Sequence, residues 1–132
     1  MLRRVTPSLL LATAVLMTLA ACRPGAVRRP ALVTTANVTL GDSLFNNGNC
    51  QRCHGKGGIG ATNAPALDGQ KWLQLKAGSY EEIVKIVTEG VPQAAIKDAS
   101  HRFAMRPRGG NMNLTDPQVQ AVAAYVWTLT HK

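Results

Sequence analysis

The sequence predicts an all-α domain of three to four short helices, and three observations carry this prediction. The segment Cys50–His54 (CQRCH) places two thiols and an imidazole within about one helical turn. Two later segments begin with the capping boxes Ser79–Glu82 and Thr115–Gln118, and each continues with apolar residues at helical spacing. We find no βαβ pattern in the chain. Helices without a sheet are therefore expected.

The composition fits one domain with a basic surface. The 132 residues carry a formal net charge of +8, which becomes +6 if Arg3 and Arg4 are removed with a leader. This excess suggests an acidic protein partner or an anionic membrane face, but a basic soluble domain without either would have the same charge. Nucleic acid is not expected as a partner, because the chain has neither a dense Lys/Arg stripe nor a DNA-reading motif.

The N-terminus is typical of an export signal. A basic start, Met1–Arg4, precedes the uncharged apolar run Leu9–Ala21. That run is shorter than the roughly 20 residues that a membrane-spanning helix needs, so residues 1–21 are predicted to be a signal peptide. The run ends in Leu19–Cys22 (LAAC), which resembles the bacterial lipobox and implies a lipid on Cys22. Cleavage by the ordinary signal peptidase after Ala20–Ala21 is the alternative.

Residues 22–38 are predicted to form a flexible, lipid-anchored tether, because they contain Pro24, Gly25 and Pro30 and no helical apolar period. Arg23, Arg28 and Arg29 fit either lipid headgroups or a solvated linker. The protein would then be exported across the bacterial cytoplasmic membrane and held on its periplasmic side. Residues 39–132 are expected to form the folded domain.

The first helix is predicted over Thr39–His54, with Asp42 or Ser43 as its N-cap and a distortion at Asn46–Asn49. At its end, Cys50–His54 has the spacing of a c-type haem attachment site. The two sulfurs would form thioethers with the vinyl groups of one porphyrin, and His54 would bind the iron. A zinc site would need a second Cys/His pair, and a thioredoxin-like redox pair would need a preceding strand; neither is found.

The glycine-rich loop Gly55–Gly60 matches G-x-G-x-x-G when read alone. A dinucleotide site is rejected, since no strand precedes the loop and no helix clearly follows it. The glycines are instead expected to bring the backbone close to the porphyrin.

From about Leu40 onward the sequence resembles a class I, monohaem, His/Met-ligated cytochrome c domain of bacterial type. The resemblance implies the cytochrome c fold, with three to four short helices around one covalently bound haem c and its iron. It also implies that the Pro65 carbonyl accepts a hydrogen bond from His54 and that Leu67 packs on the haem. The first and last helices should cross, and Gly41, Phe45 and Tyr125 are the candidate contacts.

The second helix is predicted to begin at the capping box Ser79–Glu82, and Gly90 fits its end. The loop beyond Gly90 is expected to supply the distal ligand. Met105–Gly110 (MRPRGG) resembles the family's distal loop, which implies that Met105 binds the iron. Met112 and His101 are the alternatives. Trp72 could donate its indole N–H to a haem propionate, or could simply pack in the core.

Three arginines are placed near the distal side of the expected haem, where each could pair with a propionate or form solvated surface charge: Arg102, Arg106 and Arg108. The last helix is predicted over Asn113–Lys132, with Pro117 in its first turn.

Closure of both axial positions of the iron predicts an electron carrier and not an enzyme. Such a protein exchanges single electrons with redox protein partners, with acidic docking surfaces expected on them, and has no small-molecule substrate. Two alternatives remain, a c-type haem ligand sensor and a haem subunit of a redox enzyme complex.

Overall fold

The computed structural model describes residues 27–101 and 103–132, so the predicted signal peptide and Cys22 lie outside the described residues. The described residues form four α-helices: α1 (Thr35–Asn47), α2 (Cys50–His54), α3 (Tyr80–Glu89) and α4 (Asp116–Thr130). Short 3₁₀ turns lie between them. These described residues contain no β-strand and only two isolated β-bridges, which confirms the all-α prediction. In the same ranges, none of the helices has the length and apolar character needed to cross a membrane.

The first helix begins at Thr35, four residues before the predicted start. Thr34 is its N-cap, since its hydroxyl accepts a hydrogen bond from the Asn37 N–H at 3.2 Å. The preceding Val33 is only 2% exposed and belongs to the hydrophobic core. The predicted tether, residues 22–38, is therefore wrong for residues 33–38, because a buried valine and a threonine cap attach this segment to the domain.

The helix also ends earlier than predicted. It stops at Asn47, and α2 starts separately at Cys50, so the expected distortion before the motif is a complete break. Gly48, at the break, is tightly packed: a β-carbon there would overlap the Leu44 carbonyl oxygen and the Met112 side chain.

The first and last helices cross at Gly41, as predicted. A methyl group on Gly41 would overlap the carbonyl oxygen of Ala121, so only glycine permits this helix spacing. One turn later, the rings of Phe45 and Tyr125 pack with centroids 5.4 Å apart. The crossing is the centre of a core whose buried residues also include Val33, Ile83, Val87, Leu114, Val119, Val122, Val126 and Trp127.

Both predicted capping boxes are confirmed. Ser79 accepts from the Glu82 N–H and Glu82 accepts from the Ser79 N–H, at 3.2 and 3.1 Å. Glu82 also accepts from the backbone N–H groups of Lys76 and Ala77. These backbone hydrogen bonds hold the pKa of the Glu82 carboxyl below its usual value, with the Ser79 bond the largest cause. At the start of α4, the Gln118 side-chain oxygen accepts from the Thr115 N–H at 3.0 Å and from the Thr115 hydroxyl at 3.2 Å.

Candidate functional site

A cavity of about 560 Å³ lies between α2, α3, α4 and two loops, residues 63–75 and 96–111. Its walls are mainly apolar, and the side chains that supply them include Phe45, Leu67, Leu75, Ile83, Ile86, Val87, Val91, Val122 and Val126. Polar and charged side chains also line it, among them Asn49, Arg52, Asn63, Lys71, Gln74, Asp98, His101, Arg106 and Asn111. This is the composition of a site for a large apolar ligand that carries a few polar groups.

Both motif cysteines line this cavity from α2. Cys50 and Cys53 are free thiols and neither is fully buried. Burial is the main cause that raises the pKa of the Cys50 thiol above its usual value. Two thiols one turn apart on a cavity wall can each form a thioether with a group bound in that cavity.

His54 faces the same cavity from the end of α2. Its Nδ1 lies 2.9 Å from the Pro65 carbonyl oxygen. Because a carbonyl only accepts, Nδ1 carries the proton and Nε2 keeps its lone pair free to bind a metal. Burial is the main cause that lowers the pKa of His54, which favours the neutral ring. The Phe45 ring packs beside the imidazole, with centroids 6.4 Å apart.

The glycine-rich loop has a different role from the predicted one. None of its glycines lines the cavity, so the expectation that they bring the backbone close to the porphyrin is not met. Gly60, at φ +88°, lies against Ala66, where a β-carbon would be 2.8 Å from the backbone nitrogen. The Gly58 carbonyl accepts from the Leu67 N–H at 2.7 Å. The loop thus supports the Pro65–Leu67 segment, which in turn orients His54.

The two candidate methionines occupy different environments. Met105 lines the cavity, and its backbone is fixed by two hydrogen bonds with Val91, at 2.8 and 3.0 Å. Met112 is not among the cavity residues. Its sulfur accepts a hydrogen bond from the Asn49 N–H at 3.1 Å, and its side chain packs on Gly48. Of the two candidate methionines, Met105 is therefore the one that lines the cavity.

Three further predicted residues are also at the cavity. Leu67 contributes to its apolar wall, and Trp72 lies on the wall with its indole against Gly78. His101, the other candidate ligand, lines the cavity with a buried Nδ1 that has no hydrogen-bond partner, while its Nε2 lies 3.9 Å from Asp98.

The predicted arginines separate into different roles. Arg106 lines the cavity, and Arg102 is outside the described residues. Arg108 does not line the cavity and is not free surface charge. It donates to the Leu114 carbonyl at 2.8 Å and to Asp116 at 2.7 Å, which joins the Met105 loop to the start of α4.

Arg108 makes these contacts from an unfavourable backbone conformation, at φ +51°. We expect Arg108→Ala to destabilise the domain by about 1 to 2 kcal/mol, since it loses both hydrogen bonds. Arg108→Gly loses the same bonds but relieves roughly 1 kcal/mol of left-handed strain, so it should cost less. Urea unfolding measures both variants. Equal stability of Arg108→Ala and wild type would contradict the role given to this side chain.

Two asparagines, predicted only to disfavour a helix, form hydrogen bonds that join separate segments of the site. Asn46 accepts from the Gly57 N–H at 2.7 Å and donates to the Tyr125 hydroxyl at 3.0 Å, which ties the glycine-rich loop to α1 and α4. Asn49 donates to the Gly109 carbonyl at 3.1 Å, which joins the cysteine motif to the Met105 loop. In the sequence, the run of asparagines directly before CQRCH indicated that these residues are unusual, but it did not indicate their hydrogen-bond partners.

These donors fit a c-type haem. Two thiols and an imidazole from α2 and a thioether from the Met105 loop border one apolar cavity. The thiols suit attachment to vinyl groups, and a neutral imidazole with a thioether suits an iron. The buried, unpartnered nitrogen of His101 adds a polar group to which a carboxylate could bind.

Known proteins resemble this chain over most of its length. It is 39% identical over 93 residues to the cbb3-type cytochrome c oxidase subunit FixP of Sinorhizobium medicae, covering 70% of this chain and 30% of that one. It is 32% identical over 101 residues to FixP of Bradyrhizobium diazoefficiens, covering 76% and 33%. The chain thus spans about a third of the length of these curated relatives.

Two solved structures are similar in fold. The c-type cytochrome XoxG from Methylobacterium extorquens AM1 matches with a TM-score of 0.51 at 25% identity, covering 72% of this chain and 51% of that one. Cytochrome CL from Methylophaga aminisulfidivorans matches with a TM-score of 0.56 at 23% identity, covering 74% and 59%.

The family model described as cytochrome c oxidase, cbb3-type, subunit III matches residues 36–126, so this chain belongs to that family and contains a cytochrome c-type electron-transfer domain.

Proposed function

We propose that the chain carries one covalently bound haem c between His54 and Met105 and passes single electrons between redox proteins. The observation that carries this function is the shared cavity, where two thiols, an imidazole and a thioether border one apolar space. A bound haem c would supply an iron that gains and loses one electron.

Each site residue has a distinct role in this proposal. Cys50 and Cys53 would hold the haem by thioethers, and His54 and Met105 would supply a nitrogen and a sulfur ligand to its iron. The Pro65 carbonyl keeps the His54 ring in one tautomer, which leaves Nε2 for the metal. Leu67 would exclude water from the haem face, and Trp72, which lines the cavity with its indole against Gly78, is the candidate donor to a propionate.

Electron exchange requires a brief contact with a partner and no substrate pocket. Positive side chains lie at the cavity lining in Arg52, Lys71 and Arg106. They would steer the domain toward acidic surfaces on its redox partners, with an on-rate that falls as salt increases. No nucleic acid or small-molecule substrate is proposed.

A second candidate role is that of a haem subunit within an oxidase complex. It is favoured by the relatives, which are named as subunits of cbb3-type cytochrome c oxidases. In both roles the domain passes electrons through the same site, and the donors and acceptors differ.

Carbon monoxide separates electron transfer from ligand sensing. If Met105 closes the sixth position, the optical spectrum of the ferrous protein should not change when the gas is added. Met105→Ala is the matched variant, because it opens that position and should bind carbon monoxide readily. Rapid binding by wild type would favour a sensor and overturn the closed site.

We also propose that the domain lies on the periplasmic side of a membrane, attached by lipid at Cys22. Arg28 and Arg29 are exposed close to that end and could contact anionic headgroups. Cys22→Ser should move the haem protein from the membrane fraction to the soluble fraction, measured by haem staining of both. Unchanged membrane association of the variant would contradict the lipid anchor.

A further inference from the structure

His101 is a half-buried side chain that the proposed ligand set leaves unexplained. Its side chain is 17% exposed and lines the proposed haem cavity, yet its buried Nδ1 has no hydrogen-bond partner among the described residues. A buried polar nitrogen without a partner is unfavourable, so such a group in a ligand cavity indicates a partner supplied by the ligand.

His101 belongs to a polar cluster on the cavity wall that includes Asp98 and Lys71. Its Nε2 is 3.9 Å from an Asp98 oxygen, and the other Asp98 oxygen accepts from the backbone and hydroxyl of Ser100, at 2.9 and 2.6 Å. The charges of His101 and Lys71 both lower the pKa of Asp98, after the larger effect of the Ser100 hydrogen bonds. Lys71 and Trp72 line the same cavity.

Haem is apolar except for its iron and its two propionate carboxylates. The carboxylates therefore need the polar part of this cavity, where cationic and N–H donor groups are available. The Asp98 side chain is 36% exposed, which places the His101–Asp98 pair at the edge of the cavity. A propionate is expected at such an edge, whereas an axial ligand is expected at the buried centre.

We propose that His101 donates a hydrogen bond from Nδ1 to a haem propionate, with Asp98 beside its other nitrogen, and thereby couples the reduction potential to pH. This inference rests on the proposed haem function. His101 is a positioning residue here and binds no iron. Met105 suits that task better, since two backbone hydrogen bonds to Val91 fix it.

The charge of His101 determines the direction in which the reduction potential should change with pH. Protonated His101 places a positive charge near the iron, and positive charge favours the reduced state. Burial is the main cause that lowers the pKa of His54; the Pro65 hydrogen bond opposes it, and the charge of His101 lowers it further. The other charged or titratable side chains that border the cavity with His101 are Cys50, Arg52, Cys53, His54, Lys71, Asp98 and Arg106. The reduction potential should fall as pH rises through the titration of His101.

The size of the change in reduction potential depends on how much more tightly His101 binds its proton in the reduced protein than in the oxidised protein. We expect His101 to bind its proton about three- to tenfold more tightly in the reduced protein. Tenfold corresponds to about 59 mV for a one-electron couple. In an electrochemical titration the electrode supplies the electron, and the proton taken up with it binds the His101 imidazole.

The test is the midpoint potential of the haem-loaded protein between about pH 5 and 9. Wild type should show the predicted decrease. His101→Asn keeps an N–H donor but does not titrate, and His101→Phe removes both properties, so neither should show it. His131→Asn is the matched control, because His131 stacks on Trp127 outside the cavity and its loss should leave the decrease unchanged. Nuclear magnetic resonance titration of His101 in both oxidation states measures the same coupling in wild type.

The outcomes separate this inference from the proposed function. An equal decrease in His101→Phe, or the same His101 proton affinity in both oxidation states, would overturn the coupling while leaving electron transfer intact. The wild-type spectrum could instead be that of an iron with two imidazole ligands and change in His101→Asn. That result would also overturn the inference, because His101 would then bind the iron. Absence of any bound haem would reject the proposed function itself.

Discussion

Replacement of Gly41 by alanine is expected to cost the domain about 3 kcal/mol or more of unfolding free energy. The added methyl group would overlap the Ala121 carbonyl oxygen, and backbone atoms cannot move aside as a flexible side chain can. The two helices would have to separate at the crossing, which would also loosen the packing of Phe45 against Tyr125. Since a domain of this size has only about 5 to 15 kcal/mol of stability, much of it would be lost.

Gly57→Ala is the matched control for this change. A β-carbon on Gly57 meets no atom within 4 Å, so the same methyl group adds only the strain of φ +68°, about 1 to 2 kcal/mol. Denaturant unfolding of the haem-loaded proteins measures both. Equal losses in the two variants would mean that the helix crossing does not require glycine.

Replacement of Met105 by alanine should produce the largest functional effect. Methionine ligation stabilises the ferrous state, and axial ligands set haem potentials over a range of about 0.8 V. Loss of the thioether should therefore lower the midpoint potential by more than about 100 mV, while the two thioether links keep the haem attached. Potentiometric titration followed by the optical spectrum measures this change.

Met112→Leu is the comparison for that experiment. The Met112 sulfur accepts from Asn49 and does not line the cavity, so its loss should leave the potential nearly unchanged and cost about 1 kcal/mol of stability. A large drop in potential for Met112→Leu, with none for Met105→Ala, would reverse the assignment of the two methionines.

The sequence could predict those features of the fold that depend only on residues close together in the chain. A capping box needs only two side chains three residues apart, and both were confirmed, at Ser79–Glu82 and at Thr115–Gln118. The resemblance to cytochromes c added nonlocal information, and the predicted crossing at Gly41 was found. The predicted site residues Cys50, Cys53, His54, Pro65 and Met105 border one cavity.

The remaining features depend on contacts that no local pattern contains. Thr34 and Val33 look like linker residues until Val33 is packed in the core, so the first helix was placed too late. The contact between Asn49 and Met112 joins residues 63 positions apart. Arg108 occupies a left-handed conformation that sequence usually signals with glycine or asparagine.

The far-red absorption of the oxidised haem protein is the most direct measurement of whether this is a closed His54/Met105 electron-transfer site. Wild type and Met112→Leu should both show the weak iron–thioether band, and Met105→Ala should lack it. Absence of the band in wild type, or its loss with Met112 and not with Met105, would contradict the assignment.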